Sequence, residues 1–125
     1  MNEKARNYWR TAGERAVRRA SNREAIGHFR QALSLNEKLP ADIGRSRTEL
    51  AILSQLGPAL RSVHGWSVPK LGVVFERAAD LARQLESSVD LGPPLAGLSL
   101  FHTARGQFSR SNEITNELFN IARTL

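Results

Sequence analysis

Cysteine is absent from this 125-residue chain. Disulfides and thiolate metal sites are therefore excluded, and the composition suits a reducing compartment. Aromatic residues make up only 6% of the chain, so a core has to come mainly from Leu, Ala, Ile and Val. No apolar run approaches the roughly 18 residues that a membrane span needs. The polar stretch from Met1 to Arg10 lacks the apolar segment of a secretory signal. The expectation is a cytoplasmic protein that makes no membrane contact. Glycine-rich phosphate loops, HExxH pairs and nucleophile elbows are also missing. His28, His64 and His102 fall on separate segments, and nothing pairs Asp42, Asp80 and Asp90. No catalytic residue, metal or cofactor is expected, and the chain does not read as an enzyme.

What is present is ordinary globular composition, 41% hydrophobic and 24% charged, with apolar residues at three- and four-residue spacing and no strand-like alternation. The pattern predicts an all-α, single-domain chain of six helices in three hairpins, at about residues 3–39, 41–86 and 91–125. The first helix has Tyr8, Trp9, Ala12, Gly13, Ala16 and Val17 on its inner side. Ser21 and Glu24 form a capping box for the second, in which Ala25, Ile26, Phe29, Ala32 and Leu33 make the inward stripe. The third carries Ile43, Leu50, Leu53, Leu56 and Leu60, with a kink or break expected at Pro58. Ser67 caps the fourth, with Pro69 in its first turn. Pro93 and Pro94 open the fifth, and Phe108, Ile114, Leu118, Ile121 and Ala122 mark the sixth. Trp66 stands outside these stripes, either covering a hairpin end or offering a partner contact.

The net charge of +6 is uneven. Residues 1–30 hold eight Lys or Arg against three Glu, a net of +5. A solvated helix face, a patch for an acidic partner segment and a nucleic-acid footprint all fit Arg15, Arg19, Arg23 and their neighbours. The lack of a nucleic-acid-binding motif argues against the last, as do aromatics committed to packing.

The first hairpin also has a repeat-like pattern: Trp9, Ala12-Gly13 and Ala16, followed by Ala25, Phe29 and Ala32. Looser copies follow, as Leu53, Leu56-Gly57, Leu60, Leu71, Phe75 and Ala78, then as Leu95, Leu98, Gly106-Gln107-Phe108, Ser111, Thr115 and Leu118. Small residues at Gly13 and Ala25 let two helices approach closely, while Trp9 and Phe29 fill the remaining space. This pattern resembles the tetratricopeptide repeat. The spacing from Gly13 to Gly57 is 44 residues, longer than the usual period of about 34. The strings WRTAGERAVRRASNREAIGHFRQAL, ELAILSQLGPAL and ARGQFSRSNEITNELFNIA also resemble the helical-repeat region of bacterial signalling proteins that carry class III nucleotide cyclase and AAA-type ATPase domains.

The resemblance implies a right-handed α-solenoid of stacked hairpins and a scaffold that binds a protein or peptide, within a signalling protein. The first helix of each hairpin would line a groove, presenting Asn7, Arg10, Glu14, Arg18, Ser54, Pro58 and Arg61. The cyclase and ATPase motifs themselves are absent, so neither activity is implied. Leu118, Phe119 and Ile121 near the chain end lack a polar cover, which leads to the expectation of a homodimer through the C-terminal hairpin.

Overall fold

The computed structural model describes residues 2–125. It contains six helices: α1 (Asn2–Arg18), α2 (Asn22–Asn36), α3 (Ile43–His64), α4 (Pro69–Gln84), α5 (Ser88–Ala104) and α6 (Phe108–Thr124). No strand occurs among the described residues. The chain divides into two compact units, Met1–Val63 and His64–Leu125. The first holds α1, α2 and nearly all of α3, and the second holds α4 to α6.

Three of the five connections use one backbone device. At the end of α1, Ser21 N–H donates to Ala16 C=O at 2.8 Å and Ala20 N–H to Val17 C=O at 2.9 Å. After α4, Ser87 bonds to Ala82 and Glu86 to Arg83; after α5, Gln107 bonds to His102 and Gly106 to Thr103. Each is a Schellman closure, which needs a left-handed residue after the helix. Those residues are Ala20 (φ 59°), Glu86 (φ 54°) and Gly106 (φ 74°). The residue that closes the old helix, Ser21, Ser87 or Gln107, is also the N-cap of the new one. Three residues therefore reverse the chain and hold consecutive helices side by side.

In the first unit, α1 packs on α2 through Gly13, which faces the ring of buried Phe29. Ala16, Ala25, Ile26 and Ala32 are buried around it, and Leu50, Ile52, Leu53, Leu56, Gly57, Ala59 and Leu60 are the buried residues of α3. Asn36, only 1% exposed, joins all three helices. Its Oδ1 accepts from Arg6 of α1 and its Nδ2 donates to the carbonyl of Arg45 of α3, each at 3.1 Å.

In the second unit, α4 and α5 exchange a glycine and a phenylalanine. Gly72 of α4 faces Phe101 of α5, and Gly97 of α5 faces Phe75 of α4. The α5–α6 contact is different: Ser99, Thr103, Ser111 and Thr115 form a connected set of hydroxyls. Arg83 of α4 reaches Glu117 of α6 at 3.1 Å, so α6 lies beside α4 as well.

Several local expectations are corrected. Ser21 makes no side-chain cap bond; Glu24 instead accepts from Arg19 at 3.0 Å, because a guanidinium competes for the carboxylate. The chain does not break at Pro58, since α3 is one helix from Ile43 to His64. Pro58 and Ser54, whose carbonyl loses its helical donor, are both exposed, so water can take that bond. The N-cap of α4 is Val68, not Ser67, with Pro69 at the first helical position. α5 begins five residues before Pro93, at Ser88. Ser87 caps it reciprocally, accepting from Asp90 N–H at 3.3 Å and donating to Asp90 Oδ2 at 2.7 Å. Tyr8 and Val17, expected inside, are 66% and 41% exposed. Trp66 is half-buried.

Candidate binding face

α1 turns a different chemistry to each side. Its buried side is Gly13 and Ala16. A second side meets α3: Glu14 lies 3.7 Å from Arg10 and accepts from Gln55 Nε2 at 3.0 Å. In this cluster Arg10 Nε and Gln55 Oε1 are buried without a hydrogen-bond partner. A third side is exposed throughout: Lys4, Tyr8, Thr11, Arg15 and Arg18. They follow at spacings of four, three, four and three, so they form one stripe on the helix surface. Its three cations make no ion pair with a described carboxylate.

Beside the stripe lies a cleft of about 480 Å³ between α1 and α2, lined by Asn7, Tyr8, Thr11, Arg15, Arg19 and His28. No carboxylate lines it. Trp9 supports its wall, with ring centroids 5.2 Å from Tyr8 and 5.4 Å from His28. Arg19 also pairs with Glu24, but the two side chains are 58% and 61% exposed, and such pairs hold weakly in water.

The residues expected to line a groove divide accordingly. Arg10 and Glu14 are occupied by each other and by Gln55, whereas Asn7, Arg18, Ser54, Pro58 and Arg61 are exposed. Of the expected basic patch, Arg15 and Arg19 share the cleft with Asn7. Arg23 lies in another, near the α1–α2 turn, with Ser62 and Val63 of α3. Sequence reading missed Tyr8, Thr11 and His28. The signal for the first two was present: residues 11, 15 and 19 are successive helical turns, and Tyr8 precedes Arg15 by seven.

The charge asymmetry sharpens when the units are counted separately. Residues through Val63 contain twelve Lys or Arg against six Asp or Glu, and those from His64 contain six of each. The whole net charge of +6 thus belongs to the first unit. The second unit has a cleft of about 520 Å³ floored by Gly72, Leu98 and Phe101, but its rim mixes Glu76 and Asp80 with Arg105.

No group of three or more His, Cys, Asp or Glu side chains that could hold a metal ion occurs among the described residues. None of the described helices is long and apolar enough to cross a membrane.

Fold and surface define the class: an all-α, six-helix protein whose first unit carries an exposed basic face. No protein-family model matches the chain, and neither a curated protein nor a solved structure matches it.

Proposed function

We propose that the protein is a tetratricopeptide-like scaffold that binds an acidic segment of another protein, as a cytoplasmic component of bacterial signalling or regulation, and that it has no catalytic role. The observation that supports this reading is the stripe of Lys4, Tyr8, Thr11, Arg15 and Arg18, exposed on the unit that holds all of the net charge. Unpaired cations raise the local concentration of an anionic partner and speed its encounter. An exposed tyrosine among them supplies contact area at small entropic cost, since it has only two side-chain torsions. Asn7, Ser54 and Arg61 extend the polar surface of the same unit.

The test is fluorescence anisotropy with a labelled, Glu-rich 12-residue peptide at low and at physiological salt. Binding should weaken as salt rises, and Arg15→Glu with Arg18→Glu should reduce it by about tenfold or more while the melting temperature holds. No binding at low salt removes the proposal.

Exposure of Tyr8 favours a second reading, single-stranded nucleic acid, in which bases stack on rings beside phosphate-binding cations. It is the weaker of the two because the stripe offers one ring, whereas a strand needs successive platforms. An oligonucleotide that binds more tightly than the peptide would reverse the order.

The second unit supports self-association. At its end, Val89, Phe119 and Leu125 are 71%, 60% and 72% exposed, beside half-buried Leu118 and Ile121. A second copy meeting this surface would remove it from water.

A further inference from the structure

The cleft between α1 and α2 has more hydrogen-bond donors than a carboxylate can use. Arg15 and Arg19 stand one helical turn apart, a spacing that puts their Cβ atoms about 5–6 Å from each other. Thr11 stands one turn before Arg15, and His28 faces them from α2 across the cleft. Among the described residues, Arg15 makes no ion pair with a carboxylate, and Arg19 pairs only with Glu24, at the exposed rim. No acidic side chain lines the interior. The cleft is thus lined by two arginines, a histidine and the hydroxyl-bearing Thr11 and Tyr8, with no acidic side chain among them.

Phosphorylation is the common protein modification whose charge suits this lining. A carboxylate brings one negative charge and two oxygens. A phosphorylated side chain brings about −1.5 to −2 and three acceptor oxygens, enough to engage both arginines and a hydroxyl at once. The cleft volume of about 480 Å³ accommodates such a side chain with its flanking backbone. Tyr8, at the mouth, is placed to contact the neighbouring residue of the same segment.

We propose that this cleft is a phosphate-recognition site, taking a phosphorylated serine or threonine in the acidic partner segment. The proposal rests on the reading of α1 as the partner-binding face. It adds that binding is switched by modification of the partner, because an unmodified hydroxyl brings no anion to either arginine. Glu24 then acts as a weak internal competitor that holds Arg19 until a dianion displaces it.

Three 12-residue peptides separate this from the general acidic reading: identical acidic flanks with Ser, phosphoserine or Glu at the centre. Anisotropy gives affinities, and 15N-resolved NMR locates the contact. The phosphoserine peptide should bind about tenfold more tightly than the Ser peptide, in keeping with two solvent-exposed ion pairs gained. Its addition should move the resonances of Thr11 and the Nε signals of Arg15 and Arg19. Arg15→Lys and Arg19→Lys keep the charge but lose the fork, so each should abolish most of that gain while binding of the Glu peptide changes little. Glu24→Gln should tighten the phosphoserine peptide by a few-fold. Equal binding of all three peptides, or lysine variants that weaken them all alike, overturns the phosphate site and leaves the acidic-partner reading intact. If no peptide binds, both fail. If an oligonucleotide binds more tightly than the phosphoserine peptide, both give way to nucleic-acid recognition.

Discussion

Phe29 on α2 lies against the bare Cα of Gly13 on α1: a Cβ added at residue 13 would come within 2.5 Å of Phe29 Cε1 and 2.7 Å of Cδ1. The ring is completely buried, so it has nowhere to retreat. Gly13→Ala should destabilise the first unit by about 1–3 kcal/mol, the usual range for an overpacked core. Gly27 on the same helix pair provides the opposite case, since an added Cβ there meets nothing within 4 Å. Gly27→Ala should stabilise by about 0.5–1 kcal/mol, because alanine loses less backbone freedom in a helix. Paired thermal melts followed by circular dichroism distinguish a packing constraint from a general dislike of substitution.

Ala20 and Glu86 occupy left-handed conformations that side chains disfavour, at φ 59° and 54°. Gly106 takes the equivalent place in the third such turn without strain. Ala20→Gly and Glu86→Gly should each raise stability by a few tenths to about 1 kcal/mol, the relief of the Cβ clash less the extra entropy of glycine. Gly106→Ala should lower it by a similar amount. Urea denaturation of the three variants gives the signs directly.

These turns show why some of the fold could be read from the sequence and some could not. Helix number and the α1–α2 packing were legible because the Leu, Ala and Phe positions repeat at helical spacing, and because Gly13 is small where Phe29 has space to fill. The start of α5 was hidden: Pro93 and Pro94 suggest a first turn, whereas Ser87 and Asp90 form the actual cap. Two prolines fit six and seven positions into α5 because the carbonyls they leave without donors belong to Val89 and Asp90, both exposed. Arg15 and Arg19 were legible as charge. Their partners in the cleft were not, because Tyr8 reads as core by its neighbours and His28 comes from another helix, which periodicity along one helix cannot show.

Tyr8 and Trp9, adjacent in sequence, should behave oppositely. Tyr8 is 66% exposed, so Tyr8→Ala should leave the melting temperature nearly unchanged and weaken acidic-peptide binding several-fold. Trp9 is half-buried between Tyr8 and His28. Trp9→Ala should cost about 2 kcal/mol, below the roughly 3–5 kcal/mol typical of a fully buried aromatic. Combining melts with anisotropy on the same samples separates the two roles.

Asn36 ties α1 to α3 through its two amide atoms, and it is 1% exposed. Asn36→Leu leaves the Arg45 carbonyl and an Arg6 nitrogen without their partner, a loss of about 1–3 kcal/mol. Arg6→Met made in the Asn36→Leu background should recover part of it, since the arginine no longer needs a partner there. A double-mutant cycle in urea measures the coupling, and a coupling near zero would show that the two side chains do not act on each other.

Phe119 tests the exposed end of the second unit. Its neighbours on α6 lose cover progressively toward the chain end: Ser111 and Ile114 are buried, Leu118 and Ile121 half-buried, and Leu125 72% exposed. α5 lies beside this region, with Leu118 4.0 Å from a Cβ built on Gly92, yet it does not cover Phe119. Light scattering should therefore give a mass that rises toward twice the monomer with concentration. Phe119→Glu should hold the protein at the monomer mass, because two carboxylates would be brought together in the apolar contact. The side chain is already mostly in water, so helicity and melting temperature should remain close to those of the parent at low concentration. A monomer mass for the unmodified chain at high concentration would show that this surface is simply solvated.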